Sequence, residues 1–157
     1  RLRARGLRVS VVKHAHHRFD IDHPGKDSFR HREAGAFEVV IASGRRLALM
    51  REFEQAAELS VHHLLAELWD GVDWVLVEGF RGSDLPKIEV WRPATDQPAR
   101  YPEDDFIAAI ATDDAAALPV PTLRPVLDLN DAEAIAQWLI DNGQRFDYDP
   151  ERYPLPV

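Results

Sequence analysis

Residues 7–36 read LRVSVVKHAHHRFDIDHPGKDSFRHREAGA, an apolar stretch that passes directly into a loop dense in ionisable side chains. The first six residues are mostly apolar and β-branched, which is typical of a buried strand. The following 24 residues contain five of the chain's seven histidines, three aspartates, two lysines and three arginines. Open α/β sheets bind ligands just beyond the carboxyl ends of their strands. This stretch therefore predicts an α/β fold with a functional loop at residues 13–36.

The rest of the chain repeats this alternation of short strands and helices. Strands are predicted at residues 37–42, 46–51, 74–77, 86–91, 106–111 and 125–129. Helices are predicted at residues 27–35, 59–68 and 131–142, with Asp27 or Ser28 capping the first and Asn130 the last. The pattern predicts a mostly parallel sheet with helices on both faces and a small antiparallel insertion at residues 37–51. Residues 1–157 are expected to form one domain, with residues 144–157 as an extended tail.

The charge of the chain is unevenly distributed. Residues 1–32 contain nine Arg and Lys against three Asp, a balance of +6, whereas residues 33–157 contain ten against 24 Asp and Glu, a balance of −14. A basic front on an acidic body favours a small anionic ligand and argues against a nucleic-acid partner, which needs a broad basic face. The alternative is an exposed basic helix end without a ligand.

The composition also limits the compartment and the chemistry. The absence of cysteine excludes disulfides, thiolate metal sites and cysteine nucleophiles, and it fits a reducing compartment. No run approaches the roughly 20 apolar residues of a membrane span, and the start shows no signal-peptide pattern. We therefore expect a cytoplasmic chain without a membrane partner.

Residues 73–79, DWVLVEG, are a second candidate site. An apolar strand that ends in a carboxylate resembles a Walker B element, whose acid holds Mg²⁺ directly or through water. Many buried strands end in glutamate, so a purely structural role for Glu78 stays open. The cations Arg81 and Lys87 follow closely and favour an anionic ligand.

Three stretches together resemble the molybdopterin-guanine dinucleotide biosynthesis protein B family: residues 7–36, residues 72–92 (VDWVLVEGFRGSDLPKIEVWR) and residues 107–114 (IAAIATDD). The resemblance implies a P-loop NTPase-like fold related to the nitrogenase iron-protein group, with GTP and Mg²⁺ as cofactors and a homodimer as the assembly. It also implies an accessory role in attaching GMP to molybdopterin, beside the molybdenum cofactor guanylyltransferase that performs the transfer. The resemblance implies no catalytic activity beyond weak or partner-stimulated GTP hydrolysis.

The chain departs from that family at its start. The Walker A motif G-x-x-x-x-G-K-[ST] occurs nowhere in residues 1–157, because Gly25-Lys26 lacks the preceding glycine and Asp27 replaces Ser or Thr. Residues 1–6 read as the end of a helix closed by Gly6. We therefore expect the family's first strand and P-loop to be missing from this stretch and to lie upstream of it.

The resemblance assigns roles to individual residues. It places Asp20 and Glu78 as catalytic carboxylates and Asp22 and Glu78 as Mg²⁺ ligands. It also implies nucleotide, phosphate or pterin-phosphate contacts for Lys13, His14, Lys26, Arg30, Thr112, Asp113 and Asp114. A carboxylate among the last three would accept hydrogens from guanine N1 and N2, which adenine lacks, although a plain turn with a helix cap is the alternative.

Two other functions stay open. A small-molecule kinase on the same scaffold would need an acceptor pocket and a general base, which the His/Asp loop offers. A metal-handling GTPase would use His14, His16, His17 and His23, since imidazole suits Zn²⁺, Ni²⁺ and Cu²⁺. These histidines also suit simple hydrogen-bonded positions in a loop. His62 and His63 are expected on the surface or at a rim. The tryptophans are expected mainly in the core, and for Trp91, on an edge strand, an interface is the alternative.

Overall fold

A computed structural model describes residues 1–15, 19–55 and 57–153 of the chain. Within these residues the strands are β1 (Val9–Lys13), β2 (Glu38–Ala42), β3 (Leu47–Arg51), β4 (Trp74–Glu78), β5 (Lys87–Val90), β6 (Ile107–Thr112) and β7 (Val126–Asp128). The α-helices are α1 (Asp27–Glu33), α2 (Val61–Ala66) and α3 (Ala132–Asp141). Short 3₁₀ turns lie at Arg3–Arg5, Pro93–Thr95, Ala115–Ala117, Gly143–Phe146 and Pro150–Arg152. No helix in the described part of the chain has the length and apolar character needed to cross a membrane.

The strands form two parallel sheets and one antiparallel hairpin. β1 pairs with β4 in parallel, from Val9 opposite Trp74 to Lys13 opposite Glu78. β5, β6 and β7 form a second parallel sheet in that order. β2 and β3 pair with each other in antiparallel register. The predicted α/β class and the antiparallel insertion are confirmed.

The buried core lies on β6 and its neighbours. Trp91, Tyr101, Ile107 and Ile110 form a contiguous apolar cluster. The Tyr101 hydroxyl donates to the carbonyl of Val120 and accepts from its N–H at 3.0 Å, so the burial of this ring leaves no polar atom without a partner. Trp91 lies in this core beside the edge strand β5, which agrees with the expected core position of the tryptophans.

Helix caps differ from the sequence prediction at two helices. Asp131, and not Asn130, caps α3 by accepting from the N–H groups of Glu133 and Ala134. Neither Asp27 nor Ser28 caps α1, which begins after Lys26 without a side-chain cap. At α3 two capping residues stand next to each other, and local sequence does not choose between them.

A cleft of about 1120 Å³ borders both parallel sheets. Its lining includes Val75 and Val77 of β4, Ile88 of β5, Leu139 of α3 and Phe146. Within the described residues β4 pairs only with β1, and β5 only with β6. The cleft therefore lies where the two sheets are not joined by strand pairing.

Candidate functional site

The carboxyl ends of β1 and β4 lie side by side and bring two predicted residues together. The parallel register sets Lys13 opposite Glu78, and the backbone N–H of His14 donates to the carbonyl of Glu78 at 2.9 Å. Lys13 Nζ lies 2.5 Å from Glu78 Oε1, and both side chains are largely exposed. The Walker B-like carboxylate therefore stands at a strand end, open to solvent and partnered by a cation.

The turn after β4 is built from two residues in left-handed backbone conformations. Gly79 has a φ of 97° and Phe80 a φ of 48°. A Cβ at position 79 would lie 2.7 Å from the Cβ of His14, so only glycine allows β1 and β4 to end this close together. The turn lays the ring of Phe80 on that of His14, with centroids 4.5 Å apart and planes 20° apart.

Beside this ring pair is a cavity of about 300 Å³ lined by His14, Gly79, Phe80, Arg81 and Arg100, here called the basic pocket. Three of its five lining residues carry a guanidinium or imidazole group. It lies just beyond the ends of two parallel strands, where α/β proteins bind their ligands.

The predicted carboxylates Asp20 and Asp22 lie in a separate network centred on Arg32. The Arg32 guanidinium contacts Asp20 at 3.0 Å, Asp22 at 3.3 Å and Glu52, just after β3, at 2.7 Å. Asp22 also accepts from the hydroxyl of Ser28 at 2.9 Å. The network fixes the loop to α1 and to the hairpin.

This network keeps both aspartates ionised. The hydrogen bond from Arg32 and that from the N–H of Asp22 lower the pKa of Asp20. Burial raises the pKa of Asp22, but hydrogen bonds from the His23 N–H, Ser28 and Arg32 outweigh it and leave the pKa lowered. The same partners, Asp20 and Glu52 foremost, raise the pKa of Arg32.

The two carboxylate groups of the predicted Mg²⁺ site are not joined by any contact in the described residues. Asp20 and Asp22 face Arg32, whereas Glu78 faces Lys13. In residues 1–15, 19–55 and 57–153, no three His, Asp or Glu side chains are grouped so as to hold a metal ion. Asp22 is the more enclosed aspartate, with 5% of its side chain exposed against 46% for Asp20.

The predicted phosphate-binding cations Lys26 and Arg30 lie on one turn at the start of α1. The backbone N–H of Arg30 donates to the carbonyl of Lys26 at 3.1 Å. Both side chains are exposed, and Arg30 lies 3.9 Å from Asp27. Their role in binding phosphate stays a prediction.

The predicted base-reading residues lie at the end of β6, with Thr112 as its last residue and Asp113 and Asp114 just after it. Thr112 is buried, and its hydroxyl accepts from the N–H of Asp114 at 3.2 Å. The carboxylate of Asp114 accepts from the N–H groups of Ala116 and Ala117, so it caps the next 3₁₀ turn. Asp113 lies 3.6 Å from Arg92. Of the two carboxylates, that of Asp113 is the one not used by the turn.

The histidine cluster is only partly described. His14 stacks on Phe80, and His23 is exposed with its N–H donated to Asp22 at 2.9 Å. His16 and His17 lie outside the described residues. A metal site formed by these four histidines stays a prediction.

Sequence reasoning missed a second group of ring side chains. The His62 ring lies 2.9 Å from Asp84 through Nε2 and 3.1 Å from the hydroxyl of Tyr148 through Nδ1, and it stacks on Tyr153 at 4.0 Å. The expected surface or rim position is narrowed by the structure, in which this imidazole lines the cleft with 14% of its side chain exposed. Burial, and then the charges of Tyr153 and Asp84, raise the pKa of Tyr148.

Sequence reasoning also missed Arg32 and Arg100, and the sequence indicates the first of them better than the second. Arg32 follows the His-rich loop on the same helix as Arg30, so helical spacing gave a weak signal. Arg100 is distant in sequence from Phe80 and Arg81, and it stands in a segment without a recognisable motif. Only the folded chain brings it to the basic pocket.

The chain resembles known proteins in sequence over most of its length. A family model, "MobB: Molybdopterin guanine dinucleotide synthesis protein B", matches residues 1–113. A protein of Escherichia coli (strain K12), named molybdopterin-guanine dinucleotide biosynthesis adapter protein, is 37% identical over 144 residues, which are 90% of this chain and 80% of that protein. One of the same name from Haemophilus influenzae is 39% identical over 139 residues, 87% of this chain and 73% of that protein.

Solved structures agree with the fold. A crystal structure of molybdopterin-guanine biosynthesis protein B aligns with a TM-score of 0.65 at 26% identity, over 89% of this chain and 84% of that one. A MobB homologue from Bacillus stearothermophilus aligns with a TM-score of 0.60 at 23% identity, over 91% and 82%, and supports the fold alone. The chain therefore belongs to the molybdopterin guanine dinucleotide synthesis protein B (MobB) family and has its P-loop NTPase-like α/β fold.

Proposed function

We propose that this protein is a GTP-binding adapter in molybdenum cofactor biosynthesis, which assists the attachment of GMP to molybdopterin. The names of the two curated relatives, each at least 37% identical over most of the chain, support this role. The carrying observation is the pairing of Lys13 and Glu78 at the adjacent carboxyl ends of β1 and β4. That arrangement sets an exposed carboxylate and its counter-ion where a parallel sheet binds nucleotide.

Glu78 is the proposed principal Mg²⁺ ligand, directly or through water. Hard cations prefer carboxylate oxygens, and the Glu78 carboxylate is open to solvent, so its chemistry suits Mg²⁺. The ion would supply charge neutralisation at the nucleotide phosphates. Without Mg²⁺, the Lys13 ammonium balances the charge of the Glu78 carboxylate. With Mg²⁺ bound, the same ammonium is available to a phosphate.

Asp20 and Asp22 have unequal proposed roles. The half-exposed Asp20 is suited to orient a water molecule or contribute to Mg²⁺ through one, as a catalytic carboxylate. Asp22 is enclosed by Ser28 and Arg32, so its contribution to the ion is proposed to be positional, through the loop it fixes. Hydrolysis by such a site would be weak unless a partner completes it.

The remaining predicted residues would recognise the nucleotide. Lys26 and Arg30 offer two exposed cations to phosphate, and a guanidinium suits phosphate because of its fork of donors. Asp113 is the proposed reader of guanine, since the carboxylate of Asp114 is engaged in the turn and Thr112 is buried.

We also propose a cytoplasmic homodimer that acts with the molybdenum cofactor guanylyltransferase and presents molybdopterin or its dinucleotide. The hairpin supports self-association, because Val40, Leu47 and Leu49 share one largely exposed face. Leu47→Lys with Leu49→Lys should shift the sedimentation coefficient from dimer to monomer. An unchanged dimer would move the interface elsewhere.

The experiment that tests the nucleotide is equilibrium binding of GTP and ATP, each with Mg²⁺, by isothermal titration calorimetry. It is made on this chain and on the chain preceded by any residues its gene encodes upstream. GTP preferred at least tenfold, about 1.4 kcal/mol, is the expected result. Equal binding, or a preference for ATP, would contradict the guanine assignment.

Glu78→Gln tests the ion. The isosteric amide keeps the shape but loses the charge that Mg²⁺ requires. We expect the Mg²⁺ dependence of GTP binding to disappear, while Asp73→Asn, at the other end of β4, keeps it. An unchanged Mg²⁺ dependence in Glu78→Gln would remove Glu78 from the site.

A further inference from the structure

The basic pocket carries features that the proposed function leaves unused. Its volume of about 300 Å³ is at the lower end of the range for small-molecule sites. Its lining combines a pair of stacked rings, His14 and Phe80, with the guanidinium-bearing residues Arg81 and Arg100. Flat apolar surface next to fixed positive charge suits a ligand that is itself a flat ring with an anionic group.

The backbone holds this arrangement at a cost. Phe80 adopts a φ of 48°, a left-handed conformation that is uncommon for a bulky residue. Such conformations persist where the surrounding structure enforces them and cluster at ligand sites. Here the close approach of Gly79 to His14 and the ring stack enforce it, so the pocket wall is set before any ligand arrives.

Among the described residues, the two arginines of the basic pocket have no directly bound partner at their guanidinium groups. In the part of the chain that the structure describes, neither the Arg81 nor the Arg100 guanidinium has a hydrogen bond or an ion pair. Arg32, Arg51 and Arg124, by contrast, each bind at least two acidic or carbonyl groups.

A carboxylate nearby positions Arg100 without neutralising it. Glu89 of β5 accepts from the backbone N–H groups of Arg100 at 2.7 Å and Tyr101 at 2.8 Å. Both oxygens of Glu89 are thereby used by the main chain. The segment that carries Arg100 is fixed to the sheet, while its side chain keeps its charge for another partner.

We propose that the basic pocket binds the phosphate of a phosphate monoester, through Arg81 and Arg100, with the ester's flat heterocycle against the His14–Phe80 rings. Arginine forks bind phosphate oxygens in pairs, and planar rings stack on aromatic side chains. Two sources share this chemistry, a guanine mononucleotide and a pterin phosphate. The inference deepens the proposed function and rests on it for these two sources, but phosphate binding in the pocket requires neither GTP nor Mg²⁺.

The test is calorimetric titration of the chain at low ionic strength with inorganic phosphate, GMP and 6-hydroxymethylpterin phosphate. Arg81→Gln with Arg100→Gln should weaken binding of both esters at least tenfold. The matched control, Arg45→Gln with Arg46→Gln in the exposed hairpin turn, removes the same charge and should change affinity less than twofold. Equal thermal midpoints of the two double variants would establish that both are folded.

Phe80→Leu tests the contribution of the ring to binding separately from that of the phosphate-binding arginines. It should weaken both esters several-fold by removing the stacking surface, while inorganic phosphate binds as before. A loss of inorganic phosphate binding that equals the loss of the esters would overturn the role of the rings.

The titrations also identify the source and separate this inference from the GTP proposal. Tighter binding of the pterin ester than of GMP supports the pocket as a pterin-phosphate site, and the reverse supports a nucleotide site. Absence of binding of all three probes, or equal losses in both double variants, would overturn the pocket. Ester binding, together with no GTP binding by the chain preceded by the residues its gene encodes upstream, would contradict the GTP proposal alone.

Discussion

The sheet of β5, β6 and β7 and the sheet of β1 and β4 have the same parallel pairing but differ in burial. On β6, Ala109 and Ile110 are fully buried. On β1 and β4, Val12 is buried, but Val11 is 63% exposed and Leu76 39% exposed. The first sheet therefore contributes most to stability, and the second presents the candidate chemistry at its carboxyl end.

The position of each strand explains the difference. β6 has a paired strand on both sides, whereas β1 and β4 pair only with each other in the described residues. A two-stranded sheet gains little stability by itself. Residues at its end can therefore adopt costly conformations, such as that of Phe80, only because the remainder of the molecule supplies the stability.

The largest expected effect is at the centre of the buried sheet. Ile110→Ala removes a fully buried side chain and should lower the free energy of unfolding by about 2–5 kcal/mol. Val90→Ala, on the exposed face of β5, is the control and should cost far less. Urea denaturation of both variants makes the measurement. Equal losses would contradict the assignment of the core to β6.

A second substitution tests the buried hydroxyl of Tyr101, which lies in the same core as Ile110. Tyr101→Phe leaves the N–H and carbonyl of Val120 without their hydroxyl partner, and it should cost about 1–3 kcal/mol. Tyr148→Phe removes a hydroxyl from a more exposed ring and should cost less. A thermal midpoint for Tyr101→Phe equal to that of the native chain would show that water replaces the lost contacts.

Gly79→Ala tests the end of the β1–β4 sheet, where we expect a larger loss of ligand binding than of stability. The new methyl would meet the Cβ of His14 at 2.7 Å, and a left-handed alanine costs about 1–2 kcal/mol. Binding of phosphate esters should fall in parallel, because the turn carries Phe80 and Arg81. Gly82→Ala, with open space around position 82, should leave stability and binding unchanged. Wild-type ester affinity in Gly79→Ala would separate the turn from the pocket.

Part of the geometry at the candidate site follows from local patterns. Lys13 and Glu78 were predicted at the ends of apolar strands, where the structure has them. Their proximity depends on the parallel pairing of β1 with β4, which no local pattern specifies. The strands were found within one or two residues, because apolar runs bounded by glycine, proline or charge are strong local signals.

Contacts between distant segments were not predictable in this way. Arg32 reaches Glu52 across the hairpin, and His62 meets Asp84 and Tyr148 from three separate elements. No spacing rule links such residues, since their meeting depends on how helices and loops dock. The choice of capping residue at α3 failed for a related reason, because Asn130 and Asp131 have equal propensity and the docked geometry selects one.

The smallest expected effect is the pH dependence of the Arg32 network. The pKa values of Asp20 and Asp22 are lowered in the folded chain, below about 3.9 for an unperturbed aspartate. Their stabilising contribution is therefore complete above that value and is lost as the pH falls through the folded pKa values. Arg32→Gln should bring the two pKa values back toward the ordinary range.

The difference in urea midpoint between the native chain and Arg32→Gln should accordingly be constant from pH 6 to pH 8 and shrink below about pH 4. The effect is small because Asp20 and Glu52 are about half exposed, so water screens their ion pairs with Arg32. Arg45→Gln, in the hairpin turn, should show no such pH-dependent difference. A midpoint difference for Arg32→Gln that persists unchanged at pH 3 would mean that Arg32 stabilises the loop by packing on Phe29, whose ring lies 5.9 Å from its guanidinium carbon, and not by charge.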